Sequence, residues 1–205
     1  MQGAGGNEGL CDGLCLREAI SLRFVLMKKR RFRLKNHEEL LVREAMPADA
    51  AQVLGHVQRI AEDSENLTFT AEEMALTVQE EEEILKRSKE SENDVFLLGF
   101  IGEELVASLV FSGGKRSRVR HAGEFGMAVL KKKWNLGIGG ILMDSLIDWA
   151  RETKFIRKIH LKVRVDNEPA IHLYEKKGFK REGTLSRGFM VEGEFVDLLC
   201  MGYEL

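Results

Sequence analysis

Gly123-Glu-Phe-Gly-Met-Ala-Val-Leu130, then Lys131-Lys-Lys-Trp-Asn-Leu-Gly-Ile-Gly-Gly140, then Ile141-Leu-Met-Asp-Ser-Leu-Ile-Asp-Trp149 reads as a strand, a tight loop and a helix. Gly137, Gly139 and Gly140 fall where the loop turns into the helix. Such a turn aims several backbone N–H groups at one point, and the positive end of the helix dipole points the same way. The result is a seat for a phosphate or pyrophosphate. Two common phosphate loops do not fit. A Walker loop needs Gly-Lys-Ser/Thr, whereas Gly139 is followed by Gly140 and Ile141. A dinucleotide fingerprint needs a third glycine where Leu142 stands.

A second stretch lies further along. Ile159-His-Leu-Lys-Val-Arg-Val165 alternates like a strand, and Asp166-Asn-Glu-Pro-Ala-Ile-His-Leu-Tyr-Glu-Lys-Lys-Gly-Phe179 opens as a helix near Pro169. Together the two stretches resemble the acetyl-CoA-binding core of the GNAT superfamily of N-acetyltransferases. That pattern is Gln/Arg-x-x-Gly-x-Gly/Ala, followed by a strand and an Asn-x-x-Ala-x-x-Leu-Tyr-x-x-x-Gly-Phe helix. The second motif is matched at Asn167, Ala170, Leu173, Tyr174, Gly178 and Phe179. The first departs from it, with Trp134 where Gln or Arg is usual. The resemblance spans roughly Leu40 to Leu205.

Composition bounds the alternatives. A chain of 205 residues fits one globular domain. A net charge of −2 argues against a general nucleic-acid binder. No apolar run is long enough to cross a membrane. The three cysteines, Cys11, Cys15 and Cys200, are odd in number and lack a matching histidine pattern. No disulfide framework and no metal site are expected, and a reducing cytoplasm fits best.

Residues 1–38 differ from the rest and read as an N-terminal extension, flexible in composition or the product of an over-called start. Its basic run Lys28-Lys-Arg-Arg-Phe-Arg-Leu-Lys35 follows the apolar stretch Leu22–Met27, the reverse of a signal peptide. An arm for an acidic partner is the sharper alternative. The domain proper is read as 39–205. Leu40–Glu44 predicts a first strand, and Pro47 begins a helix through Leu54. Thr70 with Glu73 reads as a capping box for a second helix bearing Met74, Val78, Ile84 and Leu85. Val95–Ile101 and Leu105–Phe111 read as an antiparallel pair, and Lys180–Met190 and Glu194–Tyr203 as two closing strands. The fold class is α/β: a GNAT-like mixed central sheet of about six to seven strands, flanked by about four helices.

Alternation along 123–130 puts Glu124, Gly126 and Ala128 on one face and Phe125, Met127 and Val129 on the other. Acyl transfer needs a neutral amine, and a partly buried Glu124 could accept the amine proton. The plainer alternative pairs Glu124 with a loop or with a basic residue of 115–120. Tyr174 lies two helical turns after Asn167 on the same face, and its plain role is core packing. Asn167 competes with Asp166 for a helix N-cap. Trp134 could stack on a cofactor or partner, or plug the base of the loop. His160 and His172 read as surface or capping residues.

The resemblance implies more. Acetyl-CoA is the cosubstrate, and Asn167 bonds its pantetheine arm. The arm and pyrophosphate are met by Met127, Ala128, Val129, Trp134, Asn135, Leu136, Gly137, Ile138, Gly139, Gly140, Ala170 and Tyr174. Glu124 acts as general base, Tyr174 protonates the leaving thiolate, and the Met127 N–H meets the oxyanion in a direct attack by a primary amine. A non-catalytic CoA-binding or regulatory domain of the same fold is the alternative. The partners expected are an amine acceptor and, as one option, a second copy of the chain, with no nucleic acid or membrane. Between Glu62 and Asp94 stand twelve acids against three bases, which favours a cationic acceptor by steering if that segment borders the cleft.

Overall fold

The computed structural model describes residues 27–70, 73 and 76–205. The glycine-rich opening, Cys11, Cys15 and Met74 lie outside the described residues. Among the described residues, eight strands form one sheet: β1 (Arg30–Arg33), β2 (Glu39–Glu44), β3 (Asp94–Ile101), β4 (Glu104–Gly113), β5 (Ala122–Val129), β6 (Lys158–Arg164), β7 (Lys180–Val191) and β8 (Glu194–Glu204). The helices are α1 (Ala50–Asp63), α2 (Val78–Lys89), α3 (Ile138–Thr153) and α4 (Glu168–Lys176). The sheet order is β1-β2-β3-β4-β5-β6-β8-β7. Every neighbouring pair is antiparallel except β5 and β6, which run parallel.

The sheet is one strand larger than the expected six to seven. The additional strand, β1, falls inside the segment assigned to the N-terminal extension. Phe32 pairs with Leu40, and Leu34 is buried. Part of the basic run is neutralised within the fold: Arg30 pairs with Asp148 at 2.7 Å, and Arg31 with Glu39.

Asp94-Val-Phe-Leu-Leu-Gly-Phe-Ile101 is buried from Val95 to Phe100, because this central strand is covered on both faces. Its even residues Phe96, Leu98 and Phe100 join Val53 of α1 and Leu85 of α2 in one cluster. Its odd residues Val95 and Leu97 join the larger cluster, with Leu142, Leu146 and Trp149 of α3 and Ile171 and Tyr174 of α4. The strand period of two thus sorts one apolar run into two cores.

The helix starts follow local chemistry. α2 begins at Thr77 rather than Thr70. The Thr77 N–H donates to Glu80 Oε2 at 2.8 Å, and the Glu80 N–H returns to Thr77 Oγ1 at 3.2 Å. Thr70 and Glu73 do exchange bonds of the same kind, at 2.8 and 3.4 Å, but outside any helix. Two chemically equivalent boxes sit seven residues apart. Burial of Leu85 and Glu81 against the fold selects the second as the helix start.

Candidate active site

The functional geometry begins with a split in the sheet. β5 pairs with β4 along its whole length, from Gly123 with Gly113 to Val129 with Ala107. Its parallel ladder with β6 covers only Ala122–Glu124 against Lys158–His160. Beyond that point β6 continues to Arg164 on β8 alone, and β5 continues to Val129 on β4 alone. The two strands therefore part, leaving one edge of β5 open.

The polarity of that edge follows from the peptide units. The Leu130 N–H donates to Val106 O on β4 at 2.9 Å, so the Val129 carbonyl of the same unit faces the split. Counting back in twos, the Met127 N–H also faces the split, as the first amide beyond the ladder. The Val129 carbonyl accepts the indole N–H of Trp134 at 2.7 Å. Trp134 thus braces the base of the loop, one of the roles its sequence left open, and the residue is 45% exposed.

The loop then turns by left-handed residues, Asn135 at φ 63° and Gly137 at φ 91°, into α3. The first amides of α3, at Ile138, Gly139 and Gly140, have no acceptor inside the helix. A Cβ at Gly139 would lie 3.2 Å from Leu173 Cδ2 and from Met127 Cε, so these side-chain ends would have to give by a few tenths of an ångström. Leu136 packs on the core, while Ala128 and Val129 are half-buried along the edge of the split. At the start of α4, Asn167 is the N-cap. Its Oδ1 accepts the Ala170 N–H at 3.3 Å.

Tyr174 and Glu124 stand on opposite faces of β5. The Tyr174 ring packs edge-on to Phe125, with centroids 5.9 Å apart, and beside Phe179 at 6.1 Å. Burial pushes its phenol up to about 12, so the proton is retained across the working range. Glu124 lies on the other face, 43% exposed. Its partner is not a residue of 115–120. Lys162 donates to Glu124 Oε2 at 2.8 Å, and His160 Nε2 lies 3.8 Å from the same oxygen. Burial holds the imidazole of His160 below the usual histidine range; Lys162 and Lys158 add to this and Glu124 opposes it.

Lys162 and His160 were legible only in part. The alternation of β6 turns its even residues away from α3 and α4. Only the pairing of Glu124 with His160 shows that they stand beside the carboxylate. Among the described residues no cluster of His, Cys, Asp and Glu could hold a metal ion, and no helix is long and apolar enough to cross a membrane.

The sheet is splayed at its one parallel pair, with a glycine-bounded helix N-terminus at the end of the split. The acetyltransferase (GNAT) family model matches residues 58–179, and the chain belongs to this family. It is 34% identical over 105 residues to an L-amino acid N-acetyltransferase of Escherichia coli, covering 51% of this chain and 65% of that one. It is 30% identical over 83 residues to a spermidine N(1)-acetyltransferase of Vibrio cholerae, covering 40% and 48%. The chain thus spans less than two thirds of these relatives. A GNAT acetyltransferase of Streptococcus pneumoniae superposes with a TM-score of 0.79 at 34% identity, over 81% of this chain and 99% of that one. The yncA protein of Salmonella typhimurium, solved with acetyl-CoA, shares the fold at a TM-score of 0.71 and 17% identity, over 81% and 94%.

Proposed function

We propose that this chain moves an acetyl group from acetyl-CoA to a primary amine by direct attack while both are bound. The observation that carries the reading is the split between β5 and β6, which exposes the Met127 N–H at one end and leads to the free amides of α3 at the other. This shape suits an extended thioester arm ending in a pyrophosphate, and the Salmonella protein of the same fold was solved with acetyl-CoA. The chain's similarity to an amino acid and a spermidine acetyltransferase supports an amine acceptor.

Residues 127–129 and Asn167 receive the arm, and the loop from Trp134 to Gly140 receives the pyrophosphate. The Met127 N–H donates to the thioester oxygen as negative charge grows there. Glu124 accepts the amine proton, and Tyr174, kept protonated by burial, supplies one to sulfur. No nucleophile of the protein is needed. A cytoplasmic setting is part of this reading.

The test is release of free thiol on mixing the protein with acetyl-CoA and a pool of amines. Release should depend on both. Glu124→Gln should lose most of the rate near neutral pH and regain part of it at higher pH, where more of the amine is already neutral. Binding of acetyl-CoA with no release in the presence of any amine would leave a CoA-binding domain instead.

A further inference from the structure

Arg164 ends β6, on the same face as the His160 that lies beside Glu124. The rise of a strand puts it about 13 Å beyond His160. There one guanidinium joins segments far apart in the chain. Its Nε and Nη2 donate to the two carboxylate oxygens of Asp166 at 3.0 and 2.7 Å. Its Nη1 donates to the backbone carbonyl of Glu65 at 3.0 Å, across 99 positions of sequence. Its carbon lies 5.7 Å from the centre of the Phe189 ring on β7.

An exposed ion pair does little to fix a loop, because solvent screens it and two long side chains lose entropy. Arg164 is different, with its side chain only 14% exposed. A planar fork held on both oxygens of one carboxylate has its remaining donor aimed in a set direction. That donor meets Glu65, in the 64–77 connection between α1 and α2. Two residues on, Leu67 is half-buried and packs against the larger core cluster. The backbone of Arg164 has a separate task. Its carbonyl accepts the N–H of Asn167, the N-cap of α4, at 3.1 Å. The side chain therefore serves the connection, and the main chain serves the cap assigned to the thioester arm.

We infer that Arg164 is a positioning residue that fastens the α1–α2 connection at Glu65, as the far wall of the amine cleft on the face of the split carrying Glu124. This rests on the general-base reading of Glu124 above. A fastened wall is ordered before the amine arrives. A released wall has to be ordered on binding, and that cost falls on amine affinity rather than on the chemical step. The contacts proposed for acetyl-CoA, on the edge of β5, in the loop before α3 and at Asn167, use none of the guanidinium donors.

The experiment takes Arg164→Gln, or Arg164→Lys if that variant fails to fold. Lysine keeps the charge but lacks the fork that holds Asp166 and Glu65 together. A glutamyl-specific protease followed by mass spectrometry reads cleavage after Glu65, whose carbonyl is the one held. Cleavage there should be about tenfold faster in the variant, the scale of one lost charge-assisted bond. Cleavage after Glu103, exposed in the turn between β3 and β4, should not change and so controls for global unfolding. Steady-state rates use the amine that gives the fastest thiol release with the wild type. Its KM should rise about tenfold, while kcat and the calorimetric Kd for acetyl-CoA move by less than about twofold. Unchanged cleavage after Glu65 would overturn the inference and leave the transferase reading standing. So would faster cleavage with an unchanged amine KM, or a loss confined to kcat. No thiol release from the wild type with any amine would instead sink the transferase reading, and the inference with it.

Discussion

The indole N–H of Trp134 and the backbone carbonyl of Val129 are joined by a hydrogen bond of 2.7 Å. The carbonyl belongs to the peptide unit whose N–H is tied to β4, so it would otherwise project unpartnered into the split. Trp134→Phe keeps an aromatic ring and removes the donor. It should destabilise the protein by about 1 kcal/mol, the usual net worth of one such bond. A urea midpoint lowered with an unchanged slope would show it, and an unmoved midpoint would reduce the bond to an incidental contact.

Gly137 holds φ at 91°, and a Cβ there would meet nothing within 4 Å. Gly137→Ala therefore tests backbone conformation without a clash. The left-handed penalty is about 1–2 kcal/mol for a residue with a Cβ. Relief of that strain should turn the loop amides away from a common point, so the acetyl-CoA dissociation constant should rise. Calorimetry checks this, and unchanged affinity would remove the loop from the site. Gly139 is a poorer probe, because a side chain there runs into Leu173 and Met127.

Tyr174→Phe should lower turnover by roughly 10²–10⁴, the ordinary contribution of a general acid, while sparing acetyl-CoA affinity. The ring contacts with Phe125 and Phe179 are kept, so the fold should survive. Steady-state rates with calorimetric binding separate the two effects. Wild-type turnover at every pH would return Tyr174 to core packing alone.

His56 is fully buried in α1, and burial pulls its pKa down to about 4. Its folded pKa lies below the unfolded value, so its contribution is present above about 6.5 and is lost as the pH falls through 4. Over that window the protein should lose about 2–3 kcal/mol through this group. Half-buried Glu44 and buried Glu81 carry raised pKa values, so their contributions run the other way with pH. The clean readout is a difference: His56→Leu should lose less stability than the wild type between pH 7 and pH 4.5 in urea melts. Equal losses would show that His56 does not set the acid limb.

Much of the molecule was legible in the chain. The strand, loop and helix around Gly137, the cap at Asn167 and the alternation on β5 and β6 are local matters. Propensity, φ preference and period specify them within a few residues. The edge strand β1 was hidden because Arg30-Arg-Phe-Arg33 is polar and short, and it becomes a strand only when Glu39–Glu44 supplies a ladder. The start of α2 was misplaced because two equivalent capping boxes compete, and only packing of the following turn separates them.

The sequence by itself determined the local setting of the candidate residues: Glu124 on its strand, Tyr174 on its helix, and the glycine-bounded turn between Trp134 and Gly140. Only the tertiary structure decided where the parallel ladder ends, hence which amide of β5 is left open, and that Lys162 is the partner of Glu124. The reason is physical. Periodicity is written residue by residue, whereas strand order and the point at which two strands part depend on helices packing from both sides, and no local stretch encodes that.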